Sequence, residues 1–189
     1  MTSERENLKQ IVESLIFASD YPITVEKISK IVNLKNVDNI QKIINDLNKE
    51  YRETGRSFEI LKVAGGYRFF ALKKYYPYLK ELFKSRRKPK LSRAALETLS
   101  IIAYKQPVSR PVVESIRGVN IDGVLHTLLS RRLITIFGRG KGPGRPLLYS
   151  TTTEFLQYFG LNDISDLPNL KEIDEILDKR EIIINDETE

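Results

Sequence analysis

Two observations in this 189-residue sequence predict an α+β chain, mostly helical, of two tandem winged helix-turn-helix units followed by an acidic C-terminal tail. The first is an internal repeat. A shift of 85 residues lays Ile16 on Ile101, Phe17 on Ile102, Ala18 on Ala103, Pro22 on Pro107, Thr24 on Ser109 and Ile28 on Val113 without a gap. The same shift lays Ile31 on Ile116, and Ile40, Ile43 and Ile44 on Leu125, Leu128 and Leu129. The second is the stretch from Gly138 to Leu161. It opens with Gly138, Gly140, Gly142 and Gly144, separated by Arg139, Lys141 and Pro143. Glycine permits positive φ and proline fixes φ, so this run reads as a loop. Between the apolar segments Leu133 to Phe137 and Leu147 to Tyr149 it becomes the tip of a two-stranded hairpin. Helices followed by a hairpin with a basic tip make the plan of a winged helix.

The first unit follows this plan from its N-terminus. Leu8, Ile11, Val12, Leu15, Ile16 and Phe17 recur at helical spacing between Asn7 and Ser19, and Tyr21-Pro22 stops that helix. Thr24 suits the N-cap of a second helix whose apolar side is Val25, Ile28, Ile31 and Val32. A third helix runs from Val37 to Tyr51, with Asp38 as its cap and Ile40, Ile43, Ile44 and Leu47 as its buried stripe. Phe58 to Val63 and Tyr67 to Leu72 read as strands joined by the tight turn Ala64-Gly65-Gly66. Lys73 to Phe83 forms a closing helix. The repeat carries the same order into the second half. The domains expected are therefore 1–83, a basic linker at 84–90, a second unit at 91–162 and an acidic tail, expected to be flexible, at 163–189. Lys84 to Arg93 holds six bases and no acid, and it reads more readily as a solvated linker than as a binding element.

Composition excludes several classes. At 41% hydrophobic residues the chain can bury cores. The absence of cysteine rules out a disulfide framework and any cysteine-ligated metal site. No apolar run approaches a membrane span and the N-terminus does not read as a signal peptide, so a cytoplasmic protein without membrane contact is expected. The net charge of +6 conceals an asymmetry: residues 161–189 carry −7, which leaves +13 on the first 160. A basic body suits an acidic partner.

Catalytic chemistry is hard to find. His126 is the lone histidine, and no metal-binding helix or nucleophile-elbow pattern accompanies it. Gly140-Lys141 is followed by Gly142 where a phosphate-binding loop needs Ser or Thr. No enzyme, no cofactor and no metal is expected. Two classes of function stay open: a third helix that reads the DNA groove while the wing touches phosphate, as in a transcriptional regulator, or winged helices that bind protein. The predicted third helices favour protein. Asp38, Asp46 and Glu50 offset the bases of the first, and the second is poor in bases before Arg131 and Arg132. Aromatic residues crowd the first wing and closing helix. Tyr67, Phe69, Phe70, Tyr75 and Tyr76 are the candidate dimer interface, since so small a unit cannot bury every one of its rings. Arg139, Lys141 and Arg145 on the second wing are the candidate contacts to a partner or to phosphate.

Three segments carry a resemblance: GGYRFFALKKYYPYL, LSRAALETLSIIAYKQPVSRPVVESIRGVN and GRGKGPGRPLLYSTTTEFLQYFGLNDISDLP. SLIFASDYPIT near the N-terminus agrees with them. The chain resembles the bacterial segregation and condensation protein B family. The resemblance implies tandem winged helices without enzymatic activity, and a homodimer formed chiefly by the N-terminal unit. It implies binding to the kleisin subunit, segregation and condensation protein A, which bridges the heads of the SMC ATPase in a condensin-like complex. Contact with DNA would then be indirect or weak, and the protein would be associated with the nucleoid. The segment after Pro168 carries no part of the resemblance.

Overall fold

The computed structural model describes residues 2–34, 37–84, 90–141 and 144–169. The chain is a mixed α/β protein, chiefly helical, with one hydrophobic core in each half. Among the described residues no helix is long and apolar enough to cross a membrane.

The N-terminal half runs α1 (Thr2–Ala18), α2 (Val25–Ile31), α3 (Val37–Glu53), β1 (Phe58–Val63), β2 (Gly66–Ala71), a 3-10 turn at Lys73–Tyr75 and α4 (Tyr76–Leu82). Thr24 caps α2 as expected, its hydroxyl accepting from Lys27 N at 3.3 Å. Asp38 is not the cap of α3. The helix begins one residue earlier, and the carboxylate lies in its first turn, where it faces the positive end of the helix dipole. Val12 and Ile16 on α1 meet Ile28, Ile40, Ile44 and Ile60 in the core. Three residues of the apolar patterns read in the first two helices face outward: Ile11, Phe17 and Ile31. Ile16 and Phe17 are neighbours about 100° apart around the helix, so only one of them can point at the core.

The first hairpin turns on Ala64 and Gly65 at φ 50° and 76°, which is the left-handed pair of a type I′ turn. Gly66 is required for a different reason. A Cβ there would lie 2.7 Å from the backbone carbon of Pro22, because the Pro22-Ile23 segment runs hard against β2. Ile23 and Tyr67 exchange backbone hydrogen bonds of 3.0 and 2.9 Å across that approach.

The C-terminal half runs α5 (Arg93–Lys105), β3 (Val108–Ser109), α6 (Arg110–Arg117), α7 (Asp122–Ser130), β4 (Ile134–Arg139), β5 (Leu147–Thr151) and α8 (Thr153–Phe159). Its sheet order is β3-β5-β4, antiparallel throughout. Ser92 and Thr152 cap α5 and α8, accepting from Ala95 N at 3.2 Å and Phe155 N at 3.1 Å. The core collects Leu99, Ile102, Val113, Ile121, Leu128 and Phe155.

The repeat is visible in space but slips once. Ile28 and Val113 are both fully buried, Ile40 and Leu125 are both core residues, and Ile31 and Ile116 are exposed alike at 51% and 52%. The Ile23–Tyr67 bridge in the first half corresponds to the β3–β5 pairing in the second. In the first helices the pattern is displaced by one residue: Val12 and Ile16 are buried, and so are Thr98 and Ile102 rather than Glu97 and Ile101.

Residues 163–169 do not behave as a free tail. Ile164 and Leu167 pack on the C-terminal core, and the Tyr104 hydroxyl donates to Pro168 O at 2.6 Å. The acidic segment beyond residue 169 and most of the basic linker lie outside the described residues.

Candidate interaction surfaces

The first surface is built on the N-terminal hairpin. β2 alternates its side chains, so Tyr67 and Phe69 share one sheet face. Tyr67 is only 4% exposed, and its hydroxyl donates to Gln41 Oε1. Burial pushes its phenol up from the ordinary value. It is therefore a core residue and offers no surface to a second chain, a correction to its place among the candidate interface rings.

Phe69 is partly buried and sits at the centre of an aromatic cluster. It stands edge-on to Phe17 at 6.1 Å and to Phe58 at 5.3 Å, and is tilted against Tyr51 at 6.1 Å. The Tyr51 hydroxyl donates to Glu13 Oε1 at 2.6 Å. Burial first, then this carboxylate, raises the Tyr51 phenol far above its usual range. Outside the cluster runs an apolar groove of about 560 Å3 lined by Glu13, Phe17, Phe58, Phe69 and Phe70. Phe17, 80% exposed, is its outermost wall. The sequence reading missed Phe17 as a surface residue. The signal was the adjacent apolar pair Ile16-Phe17.

The closing helix extends this surface. Lys74 Nζ sits 5.0 Å from the centre of the partly buried Tyr75 ring. α4 buries none of its residues, and Tyr76, Tyr78, Leu82 and Phe83 are all exposed. Pro77 at the start of the helix separates it from the preceding 3-10 turn. Of the five rings expected at an interface, Phe70, Tyr75 and Tyr76 keep that possibility, Phe69 does so in part, and Tyr67 does not.

The second surface is the C-terminal hairpin. Arg139, Lys141 and Arg145 are exposed together at its tip. Arg139 Nη1 donates to Arg145 O at 3.3 Å, and Gly140 N donates to Pro146 O at 2.8 Å, which closes the loop from both sides. Gly144 and Arg145 take φ 74° and 42°. Among the described residues no carboxylate pairs with these three cations. A register shift between Ile136 and Gly138 leaves Phe137 exposed beside them.

The carboxylates of α5, α6 and α7 are paired with arginines. Arg110 pairs with Glu114 at 2.9 Å and with Asp122 on α7, and Arg117 pairs with Glu97. The Arg93 hydrogen bond and the Arg117 charge outweigh desolvation and leave the Glu97 carboxyl below its usual value. α6 also exposes apolar side chains, Val112 and Ile116, with Val119 just beyond. His126 is exposed on α7, and among the described residues no group of three or more metal-binding side chains forms.

Comparison with known proteins adds four findings. The family model described as segregation and condensation complex subunit ScpB matches residues 10–170. Segregation and condensation protein B of Moorella thermoacetica is 42% identical over 168 residues, covering 89% of this chain and 85% of that protein. The protein of the same description from Brevibacillus brevis is 44% identical over 164 residues, covering 86% of this chain and 84% of its own. Among solved structures, ScpB from Mycobacterium tuberculosis shares 32% identity, with 83% of this chain and 97% of that chain covered, at a TM-score of 0.40.

Proposed function

The chain belongs to the family of the segregation and condensation complex subunit ScpB, and on that premise we propose that it is a non-catalytic subunit that works by binding other proteins. Chromosome segregation and condensation is the process that the names of its relatives carry. The match over residues 10–170 is the observation that carries this reading. In each half three helices precede a hairpin whose inner strand gains a short partner from the residue after a proline, and this supports two winged helix-turn-helix units at 1–83 and 91–162. The packing of Ile164 and Leu167 argues for extending the second to about residue 169.

The N-terminal unit forms a homodimer through the exposed side of Phe70, Tyr75, Tyr76 and α4. The complex is completed by a kleisin, segregation and condensation protein A, which links this subunit to the SMC ATPase at the nucleoid in the cytoplasm. The wing residues Arg139, Lys141 and Arg145 contact carboxylates of that partner. DNA binding by the isolated chain is weak, because the helices under the wing carry paired charges rather than a basic face.

Light scattering of the purified chain, alone and with a kleisin fragment, tests the reading. A dimer alone and a larger defined complex with the fragment are expected. A fragment ending near Arg87 stays dimeric and one starting near Lys88 is monomeric. Replacing Arg139, Lys141 and Arg145 by Ala lowers affinity for the kleisin. Should the chain instead bind duplex DNA tightly, with a salt dependence that the triple change flattens by up to about three units, the transcriptional-regulator reading takes its place.

A further inference from the structure

The turn between β1 and β2 ends on the other half of the chain. In a two-residue hairpin turn the central N–H groups have no partner inside the hairpin. Here both find one beyond it: Ala64 N donates to Leu161 O at 2.9 Å, and Gly65 N donates to Asn162 Oδ1 at 3.1 Å. Beside them Arg68 Nη1 donates to Gln157 Oε1 at 3.4 Å. Gln157 lies in the last turn of α8, and Leu161 and Asn162 directly follow the Gly160 that ends it.

The receiving end is held in shape by its own bonds. Gly160, at φ 70°, ends α8, and Leu161 N then folds back to donate to Leu156 O at 2.8 Å. Asn162 N and Asp163 N both donate to Asp166 Oδ2, at 2.8 and 2.9 Å. Leu161, Ile164 and Leu167 anchor the same segment on the C-terminal core. The Leu161 carbonyl and the Asn162 side chain are thus presented from a fixed frame.

We propose that this contact is a latch: the tip of the N-terminal hairpin clips onto the C-terminal end of α8 and holds the two halves in one relative orientation, and it opens as a unit. The donors are two backbone amides and an exposed arginine, so the contact has geometric definition and little strength. Each such bond shifts a two-state population by about tenfold or less. A ligand shifts an equilibrium of this kind only by its differential affinity for the two states. A partner that spans both halves therefore meets one preset spacing in the closed form and selects another when it opens the latch.

Distance measurement between spin labels tests this on the full chain. The sequence has no cysteine, so Lys42→Cys on α3 and Ser115→Cys on α6, both exposed, label one position in each half. The labelled chain is diluted into excess unlabelled chain so that only intrachain distances are read. A single narrow distribution is expected for this parent. Asn162→Ala with Gln157→Ala removes two side-chain acceptors and should broaden the distribution about twofold or split it, with the melting temperature unchanged. A parent that is already broad, or variants that stay as narrow as the parent, would overturn the latch. Arg68→Ala alone gives an independent reading: a partial broadening supports the proposal, and no change alongside an unchanged double variant sinks it.

Discussion

In the C-terminal half the closing helix α8 sinks Phe155, 2% exposed, into the core, with its ring tilted against Phe159 at 4.8 Å. In the N-terminal half the closing helix α4 buries none of its residues and leaves Tyr78 75% exposed. The two halves share an order of elements, yet one docks its closing helix on its core and the other leaves that helix undocked beside an apolar groove. The hairpins differ in the opposite sense. The first has a two-residue turn pressed against the other half; the second has a long basic tip without a carboxylate partner among the described residues. A shared fold plan therefore does not imply a shared job. Under the proposed function the N-terminal half serves apolar association and the C-terminal wing a charged contact.

The largest effect that would break this comparison comes from Phe155. Phe155→Ala should destabilise the C-terminal half by about 3–5 kcal/mol. Tyr78→Ala on the unburied helix should stay within about 0.5 kcal/mol in dilute solution. Thermal unfolding followed by circular dichroism decides; equal losses would mean that α4 is docked after all.

The hairpins give the next contrast. Gly66→Ala drives a methyl against the Pro22 backbone and should cost about 1–3 kcal/mol. Gly138→Ala meets no atom within 4 Å and should cost less than about 0.5 kcal/mol. Denaturant melts of the two variants, compared at constant slope, would expose a hairpin that is looser or tighter than described.

The smallest effect is a difference in alkaline stability. The Tyr51 and Tyr67 phenols of the N-terminal half are both pushed up, chiefly by burial. A phenol whose folded value is raised keeps its contribution below the unfolded value of about 10 and loses it as pH climbs above that. The N-terminal half should therefore weaken first above about pH 10. Tyr51→Phe should flatten that loss while lowering neutral stability by about 1–3 kcal/mol, through the hydrogen bond to Glu13. A chain whose two halves lose stability together, with the variant unchanged, would contradict the burial assigned to these rings.

The sequence by itself determined the order of elements, the inner stripe of the third helix, the Thr24 cap, the glycine-rich basic tip and the absence of cysteine chemistry. These are legible because they follow from the local periods of helix and strand and from backbone permissions of Gly and Pro. Only the tertiary structure decided that Phe17 and Ile31 face out, that Tyr67 faces in, that α8 docks while α4 does not, that residues 163–169 close the second core, and that the first hairpin tip pairs with Leu161 and Asn162. Periodicity gives the angle of a side chain around its own element, whereas burial depends on what another element places opposite it. Counting aromatic residues could not separate Tyr67 from Tyr76, because one meets Gln41 across a core and the other stays half exposed.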